Sequence, residues 1–215
     1  MNPPEVTIID YGVGNLLSVQ RGFESCGARV ALTSNPDQIL SSKRVVLPGV
    51  GAFPNAMEAL NKLDLITVIQ ELDKLSTPLL AICLGMQLLM DESDEFGVTA
   101  GLGLIPGRVV AVPMENSAGG LQKIPHVGWS ALKSSTQTHN WNGTLLQDNA
   151  MGDAAYFVHS FMAQPTDDKN LLAHAVYGGH RISAVIAKNQ ITGCQFHPEK
   201  SGEVGLKILR RFIEQ

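Results

Sequence analysis

With 215 residues, 44% hydrophobic and 17% charged, the chain can bury a substantial core, and a single domain spanning 1–215 is the expectation. A net charge of −4 argues against a nucleic-acid backbone as main partner. Three scattered cysteines, Cys26, Cys83 and Cys194, fit reduced thiols rather than a disulfide framework or zinc site. The N-terminus lacks a basic patch followed by an apolar region, and no apolar stretch approaches the ~18 residues a membrane span needs, so a cytoplasmic chain is expected.

In chain order, Val6–Ile9 reads as a short buried strand, and Leu16, Val19, Phe23 and Cys26 recur at helical spacing up to Gly27. The intervening Gly12-Val13-Gly14 lacks the third glycine of a dinucleotide-binding turn, since position 17 is leucine. Arg29–Thr33 and Arg44–Leu47 read as further strands, and alternation of strands with helices predicts a mostly parallel sheet covered on both faces. Pro48-Gly49-Val50-Gly51 closes the third strand. It is either an ordinary turn or an oxyanion strand whose backbone N–H groups meet developing negative charge. Ala56–Lys74 carries two amphipathic segments.

Pro78–Gln87 is the centre of the chain. An apolar run meets Cys83 and then Gly85, followed by good helix formers through Met90, so the pattern is strand, sharp turn, helix with a thiol at the bend. Such an elbow exposes the cysteine at the carboxyl edge of the sheet and aims the Leu84 N–H at the same place; the alternative is a small buried hydrophobe. Asp91–Gly97 reads as a solvated acidic loop, with Glu95 the one member that stands to face the site. Residues 101–150 suggest antiparallel hairpins in a small second sheet, with Pro125-His126-Val127-Gly128-Trp129 inside it. Tyr156–Phe161 and three later strand-like runs, divided by Gly178-Gly179 and Asn189-Gln190, form a closing meander that makes the sheet mixed. Strand alternation then sets His197 and Glu199 on one side, as base and orienting carboxylate, and Ser201 reads as the N-cap of a final amphipathic helix. Nucleophile, base, orienter and glycine-loop donors together specify acyl transfer through a thioester.

The elbow Cys83-Leu84-Gly85-Met86-Gln87 and His197-Pro198-Glu199 resemble those of the triad-type (class I) glutamine amidotransferases. Asp10–Leu16, Pro48–Phe53, His126–Trp129 and His197–Ser201 resemble, within that family, the glutaminase subunits of imidazole glycerol phosphate synthases in histidine biosynthesis. The resemblance implies an α/β fold with a mixed, mostly parallel sheet, a nucleophile elbow and a small added antiparallel sheet. It implies Cys83, His197 and Glu199 as the triad, and an oxyanion hole from Gly49, Val50, Gly51 and Leu84. It also implies a glutamine site from Gly51, Gln87, Glu95, Ser160 and Phe161, with no metal or organic cofactor. Ammonia would pass to a TIM-barrel cyclase subunit in a heterodimer, with Asn15, His126, Trp129 and Lys200 at or near the surface that meets it. Ser130 stands where the family commonly has asparagine, and Leu17 where a basic residue is frequent. A paralogue feeding ammonia to another synthase, such as one in cell-surface sugar synthesis, shares the same motifs.

Overall fold

The computed structural model describes residues 5–135 and 140–215. Its first half alternates strands and helices: β1 (Val6–Ile9), α1 (Leu16–Ser25), β2 (Val30–Thr33), α2 (Pro36–Leu40), β3 (Val45–Gly49), α3 (Phe53–Lys62), α4 (Leu65–Lys74), β4 (Leu79–Cys83) and α5 (Leu84–Leu88). The second half is mainly β: β5 (Glu92–Ser93), β6 (Thr99–Ala100), β7 (Gly107–Ala111), β8 (His126–Ala131), β9 (Lys133–Ser134), β10 (Ala154–His159), β11 (Phe161–Pro165), β12 (Leu171–Tyr177), β13 (His180–Lys188) and β14 (Ile191–Cys194). The chain closes with α6 (Gly202–Glu214).

The central sheet runs β2-β1-β3-β4-β14-β13-β12-β9. Its pairs from β2 to β14 are parallel, and those from β14 to β9 are antiparallel. The mixed α/β sheet foreseen from the alternating pattern is therefore present, with β12, β13 and β14 as the meander. In β3 and β4 successive side chains point to opposite faces, and both faces are covered. Val45, Leu47, Leu79 and Ala81 join one core cluster with Leu60, Leu65 and Ile69 of α3 and α4. Val46, Leu80 and Ile82 join the other with Phe23 of α1 and Ile208, Leu209 and Phe212 of α6. The rings of Phe23 and Phe212 meet at 6.0 Å, binding the first helix to the last; full burial of each such ring contributes roughly 1.5–3 kcal/mol. α1 begins where the Asn15 side chain accepts the Ser18 N–H at 3.3 Å.

In several places the chain departs from the sequence expectations. Among the described residues of 101–150 one local antiparallel bridge joins Glu115 and Leu121, while the named strands pair outside the stretch: β7 antiparallel with β11 and parallel with β5, and β8 antiparallel with β10. Short apolar runs announce strands but carry no information about distant partners. The run Tyr156–Phe161 is divided at Ser160, so that β10 belongs to a two-stranded ribbon with β8 and β11 to a four-stranded sheet. The segment after Cys83 is helical only to Leu88, because Leu89 and Met90 close the turn and the chain enters β5. Asn142-Gly143 is a turn, with Gly143 at φ 72, yet the chain behind it packs as successive turns over the core rather than returning as a strand.

Among the described residues no helix is long and apolar enough to cross a membrane.

Candidate active site

β3, β4 and β14 all end at one edge of the central sheet. Register places Gly49 beside Cys83, and Cys194 beside Ile82. The backbone turns at Cys83 with φ 56 and ψ −112, a left-handed conformation that side-chain-bearing residues adopt only under constraint from the surrounding fold. Gly85 permits the turn. A Cβ there would stand 2.0 Å from the Leu47 carbonyl oxygen, so the first turn of α5 packs backbone to backbone against β3.

His197 reaches the same edge from the loop after β14. Glu199 follows it in a single 3₁₀ turn, Pro198–Lys200, not in an extended strand as alternation suggested. The turn brings Glu199 Oε1 to 2.8 Å from His197 Nδ1, with both side chains buried. Since a carboxylate only accepts, Nδ1 carries a proton and Nε2 is turned toward the thiol. Burial alone lowers the His197 pKa, but hydrogen bonding to Cys83 and Glu199 and their charges outweigh it and hold it up at about 9. Glu199 Oε2 is buried with no hydrogen-bond partner among the described residues.

Ser201 does not cap α6 with its side chain. Its hydroxyl donates to the His197 carbonyl at 2.7 Å and accepts the Tyr156 N–H at 2.9 Å, while the His197 N–H donates to the Tyr156 carbonyl at 3.0 Å. The histidine loop is thus fastened to β10.

Cys83 and His197 open onto a cavity of about 530 Å³. Gly51, Gln87, Glu95, Ser160 and Phe161 line it, as do Val50 and Leu84, while Asn15 and Lys200 stand at its wall. Gly49 lies behind this wall, beside a smaller void shared with Asn15 and Glu199. Glu95 is buried rather than solvated, and its carboxylate accepts the Phe53 N–H at the start of α3 at 2.8 Å. Gln87 donates to the Phe161 carbonyl at 2.9 Å and to Gln195 Oε1 at 3.1 Å, and Gln195 in turn directs its amide N–H at Cys83 Sγ, 3.9 Å away. Trp129 is 59% exposed on the outer face of β8, with Tyr156 edge-on to it from β10. His126, expected at or near that surface, is 1% exposed: it lies on the opposite side of the same strand, stacked between Phe157 and Tyr177.

Sequence reasoning passed over Gln195, Tyr11 and His159. Gln195 had a signal, a lone amide in the buried run Cys194–Phe196. Tyr11 donates its hydroxyl to the Pro48 carbonyl at 2.7 Å, securing the start of the glycine loop; burial first, and then the Cys83 charge, raise its pKa and keep it protonated. Cys194, fully enclosed, has its thiol pKa pushed up by burial and then by Glu199, which makes it inert beside the reactive edge. A larger polar hollow of about 750 Å³, flanked by Arg108 and Arg181, shares no residue with this site and is lined by no cysteine or histidine. Among the described residues no group of three or more His, Cys, Asp or Glu is arranged to hold a metal.

A thiol on a strained elbow and an ion-paired imidazole around one cavity are suited to attack on an amide carbonyl. The family model for glutamine amidotransferase class-I matches residues 7–215. The chain belongs to the class-I glutamine amidotransferases. Among curated relatives of this amidotransferase, imidazole glycerol phosphate synthase subunit HisH 1 of Legionella pneumophila (strain Lens) is 50% identical over 97% of this chain and 98% of its own. The HisH subunit of Lactococcus lactis subsp. lactis (strain IL1403) is 44% identical, covering 98% of each chain. Solved structures share the amidotransferase fold at low identity: a glutamine amidotransferase at TM-score 0.71 and 14% identity, covering 97% of both chains, and PurLQS from Thermotoga maritima at 0.69 and 16%, covering 99% of both.

Proposed function

We propose that this chain is the glutaminase subunit of an imidazole glycerol phosphate synthase and hydrolyses L-glutamine to glutamate and ammonia for a cyclase subunit. The observation that carries the reading is the single cavity into which Cys83, on its left-handed turn, and the Glu199-paired His197 both open. In the proposed reaction Cys83 Sγ, its proton already passed to His197, attacks the side-chain amide carbon as the thiolate. The N–H groups of the Gly49–Gly51 strand and of Leu84 receive the charge on the carbonyl oxygen. His197 then protonates the leaving nitrogen, which departs as ammonia, leaving a glutamyl thioester. A water that gives its proton to His197 cleaves the thioester, releasing glutamate and the thiol. Gln87, Glu95 and the Ser160-Phe161 backbone bind the substrate, with no metal or organic cofactor in any step.

The partner reading rests on the face beside the cavity mouth. Val127 and Trp129 of β8 pair with Val158 and Tyr156 of β10, giving an exposed apolar ribbon next to Lys200 and Asn15. A cyclase barrel seated there receives ammonia without its crossing bulk water. Cytoplasmic residence is part of the same proposal and agrees with three free cysteines.

The test is glutamine hydrolysis by the purified chain, alone and then with a cyclase subunit from the same genome and its nucleotide ligand. Activity that depends on the full set supports chemistry and partner together. Hydrolysis indifferent to the cyclase retains the triad and removes the histidine-pathway assignment. Cys83→Ala in the assembled complex abolishes turnover, and near-wild-type activity would remove Cys83 from the mechanism.

A further inference from the structure

From His159 in the cavity lining, a run of side chains that the triad does not use leads away from the site. Ser130 Oγ is 2.9 Å from His126 Nε2, His126 Nδ1 is 3.0 Å from His159 Nε2, and His159 Nδ1 is 2.8 Å from the Phe161 carbonyl oxygen. Residues four apart on a flat strand are about 13 Å apart. The Ser130 to His126 contact therefore requires β8 to curl, and Gly128 between them has the positive φ, 141, that lets it do so.

The direction of every bond follows from the last one. A carbonyl oxygen only accepts, so His159 carries its proton on Nδ1. With the ring neutral, its Nε2 accepts, and His126 must donate from Nδ1. The remaining His126 nitrogen then accepts from the Ser130 hydroxyl. Phe161 O also receives the Gln87 amide at 2.9 Å, so both of its lone pairs are taken, one from each side. The carbonyl held in this way is that of the first residue of β11, directly after Ser160, where the chain leaves one sheet and enters another.

We propose that Ser130, His126 and His159 are positioning residues: a one-directional relay, buried at the two histidines and half-buried at Ser130, that fixes the Ser160-Phe161 segment of the cavity wall from the underside of the strand bearing the exposed Trp129. The inference rests on the glutaminase reading, in which that segment binds glutamine. It makes β8 a two-sided element, with a docking face outward and the anchor of the substrate wall inward.

The test uses steady-state glutaminase kinetics of the assembled complex with its nucleotide ligand. His126→Phe keeps the ring stack and removes both hydrogen bonds; the glutamine KM rises about tenfold, the equivalent of one buried hydrogen bond, with kcat within about twofold. His126→Asn, whose amide N–H takes the place of the Nδ1 donor, stays within about threefold of wild type. Ser130→Ala raises KM about threefold, and the Ser130→Ala, His126→Phe double variant is no worse than His126→Phe alone, because both cut the same run. A wild-type KM in His126→Phe overturns the proposal, as does an equal loss in His126→Asn and His126→Phe. If His126→Phe fails to fold, Ser130→Ala decides, and an unchanged KM there overturns it. Imidazole nitrogen NMR of the wild-type chain gives a readout independent of activity. Both rings are neutral with the proton on Nδ1, and a proton on His159 Nε2 breaks the relay even where glutamine turnover is normal. A wild-type complex that turns over no glutamine, with these tautomers intact, instead overturns the glutaminase reading and the substrate-wall role that rests on it.

Discussion

Gly49 and Gly85 approach so closely that a Cβ on Gly49 would stand 2.9 Å from the Gly85 backbone nitrogen. The end of β3 and the first turn of α5 are thus in backbone contact at the point where the proposed mechanism needs oxyanion donors and nucleophile to be neighbours. Gly85→Ala drives a methyl into the Leu47 carbonyl and destabilises the fold by about 3 kcal/mol or more. The melting temperature falls by about 6–12 °C. Glutamine hydrolysis falls with it in the assembled complex. Calorimetry and turnover together check this, and a variant with wild-type melting would mean that the elbow yields where the packing says it does not.

Ser201→Ala removes the hydroxyl that joins the His197 carbonyl to the Tyr156 amide. Leaving the buried Tyr156 N–H without its acceptor costs about 1–3 kcal/mol, measurable as a lower urea midpoint. Because the same bond secures the base, kcat falls about tenfold while KM changes little. A normal kcat in a destabilised variant would confine Ser201 to a structural role.

Stability against pH has two limbs. His197 is raised to about 9, so its contribution is complete below the unfolded value near 6.5 and is lost as pH rises through 9. His126 and His159 are each lowered to about 4, chiefly by burial, so their contribution is present above 6.5 and lost as pH falls toward 4. The charged and titratable groups facing them are each other and, for His159, His197. Urea unfolding across this range gives a maximum near pH 6–7. Glu199→Gln flattens the alkaline limb, and His126→Phe reduces proton uptake on the acid limb by about one. An alkaline limb unchanged in Glu199→Gln would show that another group governs it.

Trp129→Ala tests the docking face. Truncating a central aromatic anchor weakens subunit association by about 2 kcal/mol, close to thirtyfold in Kd. The isolated chain, in which the indole is mostly in solvent, keeps its melting temperature. Titration calorimetry measures the first and scanning calorimetry the second, and a Kd within twofold of wild type would move the interface elsewhere.

The strands β1, β3 and β4 and the elbow were legible because their signals are local: a short apolar run, a polar break, a glycine, a helical spacing. His197 and Glu199 were found as a pair for the same reason, two residues apart, although a 3₁₀ turn and not strand alternation joins them. What the sequence hid is non-local. Nothing near Ser201 tells that its hydroxyl serves Tyr156 45 residues earlier instead of its own helix. Nothing in His126-Val127-Gly128-Trp129 tells which side of β8 turns inward, since histidine and tryptophan each suit surface or core, and only pairing with β10 decides it. The pairing of β7 with β11 spans a long stretch of chain and depends on where the central sheet leaves room.

The turn at Cys83 has a last implication for anyone who breeds tougher forms of this protein. A left-handed residue other than glycine adds about 1–3 kcal/mol of backbone strain, and Cys83 sits in that conformation with φ 56. Replacing it with glycine relaxes the bend and deletes the thiol in one step. If Cys83 is the nucleophile proposed above, heat alone, used as the selector, will reward the silent enzyme over the working one, and any search for durability here has to be run with glutamine turnover as a second gate.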